Sequence, residues 1–195
     1  MSLLLLDADV PRGSLGLWWL GQAGFVFKTS GGKIVYLDPY LSDAAERLFG
    51  FKRLSSSPLA AEEVRADLVV LTHEHADHLD PDAVPIIAKN NPDCRFAASA
   101  GCAEGLAAAG VPGDAFVVLE PGRQYEFPGV TIRPAKADHG DLSDTALCLV
   151  LKFGRLRIAY TGDTAYRRGP AGGRDHGLNA ESTAATPDTA ARAAT

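Results

Sequence analysis

The stretch Leu71-Thr72-His73-Glu74-His75-Ala76-Asp77-His78-Leu79-Asp80 constrains this chain more than any other. It follows Asp67-Leu68-Val69-Val70-Leu71, an apolar run that reads as a short buried strand. It precedes Asp80-Pro81, the pattern of an N-cap with proline at the first helical position. Three histidines and an aspartate therefore fall in a loop at the C-terminal end of a strand. Open α/β sheets place their ligand sites there. The chain has 5 histidines, and His73, His75 and His78 are three of them.

If the strand continues through His73 and His75, the two side chains share a side, because side chains alternate along an extended backbone. The turn into the helix then brings Asp77 and His78 in from another direction. Imidazole nitrogen and carboxylate oxygen suit zinc, manganese or iron rather than calcium. Loop histidines are often merely solvated, but this clustering after a strand favours a metal site.

The pattern His73-x-His75-x-Asp77-His78 resembles the signature of the metallo-β-lactamase-fold hydrolases. Two further segments, Trp18-Trp19-Leu20-Gly21-Gln22-Ala23-Gly24-Phe25 and Asp38-Pro39-Tyr40-Leu41-Ser42, resemble the branch that contains L-ascorbate-6-phosphate lactonase. The resemblance runs from about Leu15 to about Tyr166. It implies an α/β fold, a four-layer αββα sandwich of the metallo-β-lactamase type, with its metal site at one edge. Two weaker signals gain meaning from it. His139, in Asp138-His139-Gly140, and Asp163, in Thr161-Gly162-Asp163-Thr164, are each unremarkable turn residues alone. The resembled family has a histidine and then a Gly-Asp pair in this order, so the resemblance makes His139 and Asp163 metal ligands. It also places Asp38 beneath the metal, as the acceptor that orients a ligating imidazole.

The implied cofactor is one or two divalent metal ions, zinc or manganese. His73, His75 and His139 hold one ion; Asp77, His78 and Asp163 define a second position or tune a single one. The implied chemistry is hydrolysis of an ester or lactone bond in a small-molecule substrate. Asp77 is the catalytic residue that orients the attacking water and takes its proton. A phosphodiesterase or nuclease of the same fold is the alternative enzyme. A truncated, non-catalytic product is the alternative to any enzyme.

Composition narrows the partners. A net charge of -5 with no basic patch does not favour nucleic acid. No apolar run approaches the roughly 20 residues of a membrane span. Met1 to Asp9 lacks a basic start and is not a signal peptide. Cys94, Cys102 and Cys148 are odd in number and read as reduced, buried thiols, which points to a cytoplasmic protein. An oligomer is compatible with the sequence.

Strands are expected over residues 15–20, 24–29, 33–38, 67–71, 95–98, 116–119, 125–127, 130–134, 145–153 and 156–160. Helices are expected at 81–89 and 103–109, with a short turn at 60–65. Trp18 and Trp19 read as strand packing rather than a ligand platform. Residues 42–58 read as a long loop of the substrate-covering kind. Its Lys52-Arg53 pair is either a phosphate holder or a solvated pair.

The hydrolase domain is expected to occupy residues 1–166 and to be incomplete, with the second half of the sandwich truncated. From Arg167 to Thr195 the chain turns to alanine, glycine, threonine and arginine, and is expected to be a low-complexity, disordered tail. The tail resembles a shifted reading frame or a premature end. The family's last histidine has no counterpart, and His176 is not assigned. The apolar run Leu147 to Leu151 is expected to need a covering layer.

Overall fold

The computed structural model describes residues 5 and 7–165. Two sheets carry the fold. The first has six strands in sequential order: β1 (Leu15–Gly21), β2 (Gly24–Thr29), β3 (Ile34–Leu37), β4 (Leu68–Leu71), β5 (Arg95–Ala98) and β6 (Phe116–Val118). β1, β2 and β3 pair antiparallel; β3 to β6 pair parallel. The second sheet is antiparallel, ordered β10-β9-β8-β7, from β7 (Tyr125–Phe127), β8 (Val130–Lys136), β9 (Leu147–Phe153) and β10 (Leu156–Tyr160).

The central strands of the first sheet are buried at every residue, Ile-Val-Tyr-Leu in β3 and Leu-Val-Val-Leu in β4. A strand covered on both faces needs apolar residues on both. One face meets the helices. There Tyr36, Val69, Leu71 and Phe96 pack with Val84 and Ile87 of α2 (Ala83–Asn90) and Leu106 of α3 (Ala103–Ala108). The other face meets the second sheet. There Val35, Leu37, Leu68 and Val70 pack with Ile132, Leu149, Leu151 and Phe153. Helix, sheet and sheet form three layers of the expected sandwich.

The expected covering layer over Leu147 to Leu151 proves largely unnecessary. Alternation turns Leu147, Leu149 and Leu151 into the core between the sheets. Arg133, Lys152 and Arg157 face outward and are exposed. The outward Cys148 is covered by a small cluster with Ala137 and Ala146. Among the described residues no helix lies on that outer face. The expected tail, 167–195, and His176 lie outside the described residues.

Two local expectations change. The 42–58 segment is not all loop: it holds α1 (Ala44–Phe49), which ends on Gly50 in a left-handed conformation. The helix after the metal-ligand motif starts at Ala83, two residues later than Asp80-Pro81 suggested. Asp80 still caps it. Its carboxylate accepts the backbone N–H of Asp82 at 3.0 Å and of Ala83 at 3.1 Å. It also accepts the N–H of Leu41 and Ser42 and the Ser42 hydroxyl, at 2.8 to 2.9 Å. One buried carboxylate thus fastens the segment after β3 to the start of α2.

Arg53 does the same for the neighbouring loops. Its guanidinium donates to the carbonyls of Leu20, Tyr40, Ser42 and Ser55, and lies over the Tyr40 ring. Half-buried and engaged by four carbonyls, it serves the backbone rather than a phosphate. Replacing Asp80 leaves several buried N–H groups without an acceptor. Asp80→Ala is expected to cost about 3 kcal/mol in urea unfolding, and Asp80→Asn, which keeps an acceptor oxygen, clearly less.

Candidate metal centre

β4 stops at Leu71, so the motif histidines are not on the strand and do not converge by strand alternation. They sit in a tight loop closed by His78 N–H and Leu79 N–H, both donating to the His75 carbonyl. The result is convergence all the same. His73 Nε2 stands 3.0 Å from His75 Nδ1, and His139 Nε2 stands 3.2 Å from the same atom. His139 arrives from the loop after β8. Asp163 arrives from the turn after β10, where Gly162 takes a φ of 55° that a side chain would resist. His78 Nε2 lies 3.4 Å from Asp163 Oδ1 and 4.0 Å from Asp77 Oδ2. The seven residues singled out from the sequence, Asp38 among them, all meet in one place.

Three of the four imidazoles are held by the nitrogen they do not turn inward. His78 Nδ1–H donates to Asp38 Oδ2 at 2.8 Å. The Thr72 hydroxyl donates to the same oxygen at 2.6 Å, which leaves it to accept His73 Nδ1–H at 3.2 Å. His75 Nε2–H donates to the Leu142 carbonyl at 3.1 Å. These bonds fix the tautomers of the neutral rings, so the lone pairs of His73 Nε2 and His75 Nδ1 face the centre, while His78 turns Nε2 toward Asp163. His139 Nε2 joins the first two 3.2 Å from His75 Nδ1, and ring nitrogens this close repel one another unless a cation lies between them. A tetrahedral ion at about 2.0–2.1 Å from each nitrogen sets the nitrogens about 3.3 Å apart. The observed spacings fit that geometry closely.

Two donor sets lie within 4.8 Å: His73, His75 and His139, and His73, His78 and Asp163. Asp77 belongs to neither; its carboxylate is half-exposed at the mouth of the cleft. Burial drives the His73 imidazole down to about 4, helped by the charge of His78, so it is a neutral donor. Burial alone lowers His78 as well, but the Asp38 and Asp163 carboxylates override it and lift His78 to about 10. Asp163 is pulled down to about 2, first by its hydrogen bond with His78. Burial raises Asp38, yet His78 and the Thr72 bonds hold it below the usual carboxylate range.

Three supporting residues went unassigned from the sequence. Thr72 gives Asp38 both its N–H and its hydroxyl. The Tyr160 hydroxyl sits 2.9 Å from Asp38 Oδ2 and 2.9 Å from the Ala23 carbonyl. Glu74 lines the cleft, and its carboxylate accepts the Thr145 hydroxyl at 3.0 Å and so steadies the loop that carries Leu142. A Cβ on Gly101 would overlap Glu74 and Thr145. Thr72 and Tyr160 flank ligand motifs, and that adjacency was their one signal in the sequence.

The cleft above the centre has a volume of about 690 Å³. His75, Asp77, His139 and Asp163 form its polar end. Cys102 is fully buried and its thiol is pushed up to about 12 by burial, so it plays no part.

A family model described as a beta-lactamase superfamily domain matches residues 33–180. A metal-dependent hydrolase of Polynucleobacter asymbioticus is 31% identical over 137 residues, covering 67% of this chain and 44% of that protein. An Escherichia coli protein named "Probable L-ascorbate-6-phosphate lactonase" is 27% identical over 153 residues, covering 66% of this chain and 43% of its own length. The chain thus spans less than half of the curated relatives it matches. The crystal structure of an isothiocyanate hydrolase from Delia radicum gut bacteria superposes with a TM-score of 0.60 at 25% identity, covering 77% of this chain and 63% of that one.

Equilibrium dialysis of the full chain against zinc or manganese tests the centre. His75→Ala is expected to abolish tight binding, and Asp38→Asn to weaken it about 10- to 100-fold.

Proposed function

Because the chain belongs to the beta-lactamase superfamily, we propose that it is a metal-dependent hydrolase that opens a lactone or ester bond in a small molecule. The convergence of His73, His75 and His139 carries this reading: His73 Nε2 and His139 Nε2 lie 3.0 and 3.2 Å from His75 Nδ1, and separate bonds to Thr72 and Leu142 hold the His73 and His75 rings. The names of the relatives support hydrolysis, and one of them names a lactonase.

In this reading His73, His75 and His139 hold one ion, and Asp77, His78 and Asp163 define a second position or tune the first. A bound divalent ion supplies Lewis acidity toward a carbonyl oxygen and lowers the pKa of water to about 7. The donor set suits zinc or manganese. The protein's own groups do the remaining work. Asp77, half-exposed at the mouth, orients the attacking water and accepts its proton. Asp163 sits between His78 and His139, 3.4 Å from one and 4.0 Å from the other, and holds the two halves of the centre together. Asp38 stays behind the ligands and keeps His78 and Thr72 in register.

The charged residues along the cleft are acidic: Glu74, Asp77, Asp80 and Asp163. That favours a neutral carbonyl over a phosphodiester. A cytoplasmic setting suits the three cysteines, which are buried and free.

The test is proton release from lactones, esters and phosphodiesters with the metal-loaded full chain. Lactone or ester turnover that disappears with a chelator is expected. Asp77→Asn is expected to lose about 10²- to 10⁴-fold in kcat. Phosphodiester cleavage without lactone opening assigns the protein to the other reading.

A further inference from the structure

Much of the cleft has no role in holding an ion or a water. We propose that this apolar part binds an uncharged alkyl or acyl arm of the substrate. The proposal rests on the hydrolytic reading above and adds the class of substrate.

The first observation is continuity. The cleft that ends on His75, Asp77, His139 and Asp163 also runs along Phe49, Phe51, Leu142, Val84 and Pro85. A group lying on that wall is therefore next to the reacting end. The volume, about 690 Å³, is that of a small-molecule site.

The second observation is exposure. Phe49 is 62% exposed, Phe51 73% and Leu142 69%. They come from the end of α1, the segment after it and the loop after β8, yet they border the same cleft. Large apolar side chains held in water beside a reactive centre gain from covering a ligand. The floor adds Gly105, Ala108 and Ala109 of and just after α3, whose small side chains leave depth beneath that wall.

The third observation is charge. No lysine or arginine lines the cleft among the described residues. The basic groups of the adjoining segment are committed. Arg53 donates to four backbone carbonyls, Lys52 pairs with Glu46, and Arg47 pairs with Asp43 and Asp82. A phosphate or carboxylate on the arm finds no partner there and meets Glu74 and Asp77 instead. The wall thus selects a neutral arm.

Cyclopentanones with propyl, pentyl, heptyl or nonyl side chains are suitable probes, since they carry the carbonyl but no bond to hydrolyse. Their dissociation constants for the metal-loaded full chain are measured by calorimetry. Binding is expected to tighten about two- to fourfold per added methylene until the cleft is filled. A terminal phosphate on the same arm is expected to weaken it at least tenfold. Phe51→Ala and Leu142→Ala are expected to flatten the chain-length dependence at unchanged metal content and unfolding midpoint. Affinity independent of chain length, or tighter binding of the phosphorylated ketone, overturns the proposal. Turnover of the matching lactones is scored separately. Chain-length-dependent binding without lactone opening overturns the hydrolytic reading and leaves the neutral-arm site standing.

Discussion

The Asp38 carboxylate is the constraint on which the rest of this structure depends. It is fully buried and ionised, a state that is stable only when every lone pair is used. Oδ1 accepts the Thr72 N–H at 2.8 Å; Oδ2 is bonded to the Thr72 hydroxyl, His78 and Tyr160. Those partners come from three separate places: the start and end of the ligand motif, and the last strand of the second sheet. One side chain therefore joins the two sheets and sets two imidazoles. Asp38 accepts a φ of 44° to reach this position, and its own N–H bonds the Val70 carbonyl. A conformation of that kind persists only where its surroundings fix it. The hydrogen bonds that use the strained carboxylate are the same ones that orient the metal ligands.

The two ends of the cleft are built on opposite plans. The ligand end is rigid: His73 and His78 are buried, and Asp80 and Glu74 tie the neighbouring loops to backbone and hydroxyl donors. The apolar end is loosely held. Phe49 ends, and Phe51 follows, a short helix whose buried residues are only Ala44 and Ala45. Metal ligation and chemistry need fixed atoms, whereas apolar contact tolerates adjustment.

The sequence disclosed the site more fully than it disclosed the route to it. The strands β2, β5, β7 and β10 have the bounds that turn residues and apolar runs imply. The three clustered histidines were evident because their spacing is rare by accident. His139 and Asp163 became visible only through family order, since each occupies a turn that any polar residue tolerates. The path was less legible. His73 and His75 were expected to converge by strand alternation; they converge through a turn held by the His75 carbonyl instead. The helix α1 was hidden because Leu48 and Phe49 are exposed, which destroys the apolar period that marks a packed helix. Arg53 looked like a solvated or phosphate-binding cation. Only the folded backbone brings four carbonyls within its reach.

The second sheet takes a direct part in the centre. It contributes Tyr160 and the turns that hold His139 and Asp163, all at the end nearest the first sheet's ligand loop. Its stability comes from Leu147, Leu149, Leu151 and Phe153, which face Val35, Leu37 and Val70 across the core. Its outward Arg133, Lys152 and Arg157 are soluble without a cover. The contact between the sheets thus fixes the ligand geometry by itself.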